Sequence, residues 1–320
     1  MGIRPRCAPS ASWWVGAAAR LDPGLAGGHY LDMVDVAITS GAGRVVRAGL
    51  LTASALCCFA ANSLLCRAAL RPGLIDPATF TLVRVASGAA VLAVLAYARR
   101  PGGLRSGSWT SAAALFVYAA TFSLAYVRIH AGTGALLLFA AVQVTMVGWS
   151  VREGASLRPI QWLGAALAVA GLALLTLPGA ASPDVTGASL MVASGVAWGL
   201  YSIRGRTAAD PLATTAGNFV RALPLAAAFA LASITTSRES GTGLALASVS
   251  GAITSAGAYV VWYAVLPVLG AARAGTLQLA VPVLAAAAGV WLLGEPMTLR
   301  LATAGAATVT GIALMVCVSR

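Results

Sequence analysis

Residues 131–151 read AGTGALLLFAAVQVTMVGWSV, a run of twenty-one positions with no charge and no proline. An α-helix rises about 1.5 Å per residue, so this run covers about 30 Å, the thickness of a bilayer's hydrocarbon layer. It is bounded by His130 on one side and by Arg152-Glu153-Gly154 on the other. Working outward, similar apolar runs separated by short breaks lie near 46–66, 77–98, 109–128, 159–177, 186–205, 212–234, 243–266, 269–294 and 298–318. The breaks carry turn and charge signals: Arg71-Pro72-Gly73, Arg99-Arg100-Pro101-Gly102-Gly103, Pro178 to Asp184, Asp210-Pro211, Arg238-Glu239 and Gly294-Glu295-Pro296. Only Pro267 and Gly270 divide the eighth run from the ninth. The expected fold is an all-α polytopic membrane protein of about ten transmembrane helices.

Composition agrees. Charged residues make up 9% of the chain and hydrophobic residues 59%, with a mean hydropathy of +0.86. Soluble domains carry roughly 25% charged residues, so this chain cannot cover a water-facing surface and must present apolar side chains to lipid. The net charge of +12 comes from 21 Arg and no Lys. These Arg are dispersed between apolar runs, which points to cytoplasmic loops and not to nucleic acid. With the N-terminus placed in the cytoplasm, fourteen Arg fall inside and five outside (Arg67, Arg71, Arg128, Arg238, Arg300), while Arg84 and Arg221 lie within spans. Both termini are therefore expected in the cytoplasm, with the protein in the inner membrane. Residues 1–44, rich in Pro, Gly and scattered charge, read as a disordered cytoplasmic arm, or as sequence upstream of a start at Met33.

The second half of the chain echoes the first. Ala60 to Arg67 align with Gly199 to Arg206, Leu82-Val83-Arg84 with Phe219-Val220-Arg221, and Asp76-Pro77 with Asp210-Pro211. Tyr126 aligns with Tyr263, and the Glu153 break with the Glu295 break, each with a Trp four residues earlier (Trp149, Trp291). The matches occur in one order at nearly one offset. They divide the chain into five-helix units at 45–178 and 185–318. Five is odd, so the second unit enters the membrane from the opposite face, giving an inverted 5+5 repeat. Secondary transporters built this way place their site at the midplane between the halves and work by alternating access.

The chain resembles the drug/metabolite transporter superfamily, in particular its EamA-type members. The resemblance rests on Ala197-Trp198-Gly199-Leu200-Tyr201, on Asn218-Phe219-Val220-Arg221, and on Leu279-Ala280-Val281-Pro282-Val283 followed by Trp291-Leu292-Leu293-Gly294-Glu295-Pro296, with Gly305 and Gly311 beyond. It covers about 45–318. The first half departs from the pattern: Phe59-Ala60 stand in place of Trp-Gly, Arg152-Glu153-Gly154 in place of Gly-Glu, and Gln143 in place of Pro. The resemblance implies a carrier of amino acids or related metabolites, export among its directions, with a cavity between the halves.

No acidic residue lies in the middle of a span. That argues against a pump coupled through a buried carboxylate and against a hydrolase or transferase working through paired carboxylates. The alternative from another class is a polytopic membrane enzyme or receptor without transport. Two His and five Cys without a C-x-x-C pair indicate neither a metal site nor a disulfide framework. No cofactor is expected. The expected partners are a small-molecule substrate and the bilayer; a homodimer is admissible.

Polar and aromatic residues inside the spans are the candidate substrate contacts, because polar groups must turn away from lipid. They are Asn62, Arg84, Gln143, Trp198, Tyr201, Asn218, Arg221, Tyr259, Trp262 and Gln278. Against each stands a packing role. Arg84 and Arg221 can cap backbone carbonyls or snorkel, and the aromatics can simply fill space. Pro267 and Pro282 are hinge candidates, since each removes a helix hydrogen bond. Gly195 and Gly199 form a small-x-x-x-small face suited to close helix contact. Glu153 and Glu295 are expected in helix caps or loop ion pairs with nearby Arg152 and Arg300.

Overall fold

The structure is a computed structural model that describes residues 41–99, 105–154, 158–176, 183–205, 208–233, 239–269, 277–278 and 280–317. Residues 1–40, most of the expected arm, lie outside that description. The described residues form ten helices: α1 (Gly41–Leu70), α2 (Pro77–Arg99), α3 (Trp109–Arg128), α4 (Ala131–Arg152), α5 (Pro159–Thr176), α6 (Val185–Gly205), α7 (Pro211–Ala232), α8 (Gly241–Leu269), α9 (Ala280–Leu293) and α10 (Leu299–Cys317). Extended structure among them is limited to one isolated bridge between Ile75 and Glu239. Six helices are long and apolar enough to cross a membrane by themselves, within α1, α2, α3, α4, α7 and α8; shorter apolar helices lie at Pro159–Leu175, Ala280–Leu293 and Leu299–Leu314. Large apolar side chains such as Val94, Leu163, Val283 and Leu292 are exposed on the outside of the bundle. That surface suits lipid and would be costly in water. The fold is an all-α polytopic membrane protein.

Local chemistry starts the helices. Asp76 Oδ1 accepts from the N–H groups of Ala78 and Thr79, and Asp210 Oδ1 accepts from Ala213 N–H at 2.9 Å. In each case a Pro follows, at a position whose N–H would be unused. The two Asp-Pro pairs noted in the sequence are thus one capping device used twice. Ser108 and Ser240 cap α3 and α8 in the same way.

The packing has a pattern. α2 packs on α7 and α5 on α10; α3 packs on α6 as α8 does on α1; α4 packs on α6 as α9 does on α1; and α3 packs on α7 as α8 does on α2. Exchanging every helix for the one five places on turns each of these pairs into itself or into another of them. The glycine face of α6 shows how close the contacts are. A Cβ on Gly195 would lie 2.6 Å from both Ala141 Cβ and Leu138 O of α4, and one on Gly199 would lie 2.9 Å from Thr145 Cβ.

α8 is interrupted by a π-helical segment at Ser250–Gly257. Such segments widen a helix by one residue per turn and recur at functional sites. The run SGAITSAG is rich in small and hydroxyl residues, which resist neither the widening nor a close neighbour. Gly251 sits directly against the backbone of Arg84.

Two sequence expectations need correction. The first span was expected to end at residue 66, with Arg67 in a loop outside. α1 instead continues to Leu70, and Arg67 is buried, because a carboxylate and two carbonyls hold it there. The ninth span was expected to begin at 269, yet Leu269 belongs to α8; residues 270–276 and 279 lie outside the described residues.

Candidate functional site

A cavity lies between the two sets of five helices. α1 contributes Phe59, Asn62 and Ser63, α2 Arg84, α3 Tyr118 and Phe122, and α4 Leu138 and Phe139. From the second set come Trp198 of α6, Thr254, Ser255 and Tyr259 of α8, and Gln278. The volume open to the centre of a water-sized sphere is about 50 Å³, room for a few waters.

Arg84 is the only charged residue among the described residues that line it. Its side chain is buried, 4% exposed. Nη2 donates to Tyr118 Oη at 2.9 Å and Nε to Ser255 Oγ at 3.3 Å. The guanidinium carbon stands 4.9 Å from the centre of the Phe122 ring and 5.2 Å from that of Tyr118, within cation–π range. The remaining nitrogen, Nη1, is buried without a hydrogen-bond partner, as is Gln278 Oε1. Asn62 Oδ1 accepts from Ser250 Oγ at 2.7 Å and lies 3.2 Å from Thr254 Oγ1. The π-helical segment thus supplies partners to both Asn62 and Arg84.

Trp198 forms the aromatic wall, stacked on Tyr259 (5.4 Å, 21°) and on Tyr201 (5.4 Å, 28°), with Tyr118 4.8 Å away. Five candidates from the sequence therefore meet at this cavity: Asn62, Arg84, Trp198, Tyr259 and Gln278. The others do not line it. Tyr201 lies behind Trp198 and its hydroxyl accepts from Asn218 Nδ2 at 3.5 Å, while Asn218 Oδ1 accepts from Ser108 N–H at 2.9 Å. Trp262 meets Phe59 edge-on at 5.9 Å. Gln143 is buried on α4. Arg221 donates to Ser106 O at 2.6 Å, Gly217 O at 2.9 Å and Arg105 O at 3.0 Å, tying down the α2–α3 connection. Arg84 and Arg221, aligned with one another in the sequence, do different work. Pro282 is buried near the start of α9, and Pro267 lies on the last turns of α8.

Sequence reasoning missed Tyr118, Phe122, Thr254 and Ser255. The signal for the last two was present in the hydroxyl-rich SGAITSAG run. It also missed a buried ion pair that joins the two sets of helices. Arg67 Nε donates to Glu295 Oε1 at 3.1 Å, with both side chains buried. Arg67 Nη1 donates to the carbonyls of Tyr126 (2.8 Å) and Val127 (3.1 Å), and Glu295 Oε2 accepts from Ala131 N–H at 2.8 Å at the start of α4. Glu295 was expected to serve Arg300, which instead donates to Leu174 O. Ser63 lines the cavity, and Arg67 lies one turn further along the same face of α1. The pair therefore lies next to the cavity and joins the two sets of helices there. His130 sits beside it and is held below the usual imidazole range, by partial burial first and by the charges of Arg67 and Arg71; Glu295 acts in the opposite sense.

Comparison with known proteins agrees with this architecture. The model for the EamA-like transporter family matches residues 185–317. Uncharacterized protein PA1977 of Pseudomonas aeruginosa is 53% identical over 267 residues, covering 83% of this chain and 93% of its own length. A solved crystal structure aligns with a TM-score of 0.60 at 21% identity, over 86% of this chain and 99% of its own; that likeness is one of fold.

Proposed function

The chain belongs to the EamA-like transporter family, and from that premise we propose that it carries a small metabolite, an amino acid or related compound, by alternating access through the cavity between α1–α5 and α6–α10. The observation that carries the reading is that both five-helix sets line one cavity while the buried Arg67–Glu295 pair, one member from each set, joins them beside it. The repeat units run from 45 to 178 and from 185 to 318. Because the main helix contacts between the sets map onto one another when the sets are exchanged, the reading takes the pair to close one end and a second arrangement, with the other end closed, to be available to the same chain. The membrane is the cytoplasmic one, with both termini inside and the Arg67–Glu295 end outside, following the Arg bias of the loops. Asn62, Arg84, Trp198, Tyr259 and Gln278 contact the substrate. Tyr201, Asn218, Arg221, Gln143 and Trp262 hold those contacts in place from behind, and Pro267 and Pro282 flex α8 and α9.

The test is flux. Purified protein in liposomes loaded with a defined mixture of amino acids and their hydroxy- and keto-acid relatives should release some of them saturably, and external substrate should drive counterflow of the same compound. Release that fails to saturate indicates a pore. Chemical conversion without flux indicates an enzyme, and either result overturns the reading.

A further inference from the structure

The cavity's charge and its two unpartnered atoms specify the substrate class more narrowly, and this step rests on the carrier reading above. Arg84 brings one positive charge, and none of the described residues lining the cavity is acidic. A buried cation without a counter-ion is costly, so this site is completed by an anion. Nη1 of Arg84 is the unused donor and Gln278 Oε1 the unused acceptor, both buried, with their residues 4% and 5% exposed. The first calls for a carboxylate oxygen. The second calls for an N–H or O–H group on the same ligand. Around them Phe59, Phe122, Leu138, Phe139 and Trp198 offer apolar surface. We infer that the substrate is a small carboxylic acid of net charge −1 that carries a neutral hydrogen-bond donor, such as a 2-hydroxy acid or an N-acylated amino acid, in preference to a zwitterionic amino acid.

The preference over a zwitterion is electrostatic. An α-ammonium would sit within a few ångströms of the carboxylate and so near the Arg84 guanidinium, with no carboxylate among the described lining residues to offset the repulsion. At the effective dielectric of a protein site this disfavours the zwitterion by about tenfold or more. A neutral hydroxyl or amide N–H donates to Gln278 without that penalty. Tyr118 and Ser255 hold the guanidinium so that Nη1 remains for the ligand.

The experiment measures binding to the full-length protein in detergent micelles, by quenching of tryptophan fluorescence, for lactate, alanine, phenyllactate, phenylalanine, N-acetylphenylalanine, 3-phenylpropanoate and phenylalaninamide. Lactate or phenyllactate should bind at least tenfold more tightly than its amino-acid counterpart. Phenylalaninamide, a cation, should not compete. Removal of the donor in 3-phenylpropanoate should weaken binding relative to phenyllactate. Arg84→Gln should lower the affinity for every anion by about tenfold to a hundredfold. If that variant does not fold, Gln278→Leu serves: it should bring phenyllactate and 3-phenylpropanoate to equal affinity while leaving both bound. Amino acids binding as tightly as the hydroxy acids, binding of the cation, or binding of none of the anions at millimolar concentration overturns the inference. Anion binding that Arg84→Gln abolishes, without flux in liposomes, leaves the site standing and removes the carrier reading.

Discussion

Replacing Glu295 by Gln removes one charge of a pair that is almost fully enclosed, with side chains 5% and 3% exposed. The Arg67 guanidinium keeps its two carbonyl acceptors but loses its counter-ion. Removing one partner of a buried pair costs about 3–5 kcal/mol, because the other charge is left uncompensated. Gln can still accept from Ala131 N–H, so the lower end, about 3 kcal/mol, is expected. Arg67→Met leaves the carboxylate uncompensated and should cost a similar amount. The double variant Arg67→Met with Glu295→Leu buries no charge, and should cost less than either single change. Unfolding in mixed micelles, followed by circular dichroism, measures all three. On the reading that the pair also closes the cavity at that end, a loss of about 3 kcal/mol moves the balance between closed and open forms by up to about a hundredfold. Cys66, buried on α1 beside Arg67, should then react faster with an impermeant thiol reagent in the single variants. Singles that cost under about 1 kcal/mol and add in the double, with no change at Cys66, would refute the reasoning.

Tyr118→Phe removes the hydroxyl that accepts from Arg84 Nη2; it should lower transport by about tenfold through affinity, seen as a higher half-saturation concentration with the maximal rate little changed. Gly195→Leu forces a side chain into α4, where a Cβ alone would lie 2.6 Å from two atoms; overpacking of about 1–3 kcal/mol or more should appear as a lower melting temperature in detergent. Arg71→Cys and Arg152→Cys, both exposed at loops, should label with an impermeant reagent from opposite faces in cells, and labelling from the same face would sink the proposed orientation. His130 binds its proton more weakly in the folded protein than free imidazole does. Between pH 7.5 and 5.5 the unfolded chain therefore takes up the proton first and stability should fall. His130→Asn should flatten that part of the pH profile of thermal stability.

The fold was legible because lipid imposes it. Runs such as 131–151 must be helical to satisfy their backbone, and two Asp-Pro caps marked equivalent starts. What lines the cavity was only partly legible. Arg84 and Asn62 stood out as polar residues in apolar runs, but so did Gln143 and Arg221, which lie elsewhere. Nothing local to the sequence tells a polar residue facing the cavity from one facing a neighbouring helix; that depends on the rotation of each helix. Tyr118 and Phe122 were hidden for the converse reason, since aromatics in an apolar span look like packing. The Arg67–Glu295 pair joins residues 228 positions apart, and each partner had a nearer neighbour in sequence with which it could be paired on paper.

The contrast between Arg84 and Arg221 separates two positions that align in the sequence. Both sit two turns or more inside the second helix of their half, and both are held by hydrogen bonds. Arg221 donates to three backbone carbonyls, two of them in the α2–α3 connection, so both of its Nη groups are engaged by backbone. Arg84 is met instead by a widened α8, whose π-helical segment brings the Ser255 hydroxyl to Nε and whose Gly251 lets the two backbones touch. A side-chain hydroxyl takes one hydrogen bond and leaves the fork's other arm unused. The symmetric packing of α2 on α7 therefore positions both arginines, while the local departure from symmetry in α8 decides which of them keeps a donor for a ligand. Replacing Ser255 by Ala releases Nε as well, and should loosen the guanidinium and weaken anion binding, whereas Ser106→Ala, which leaves the carbonyl used by Arg221 in place, should change neither.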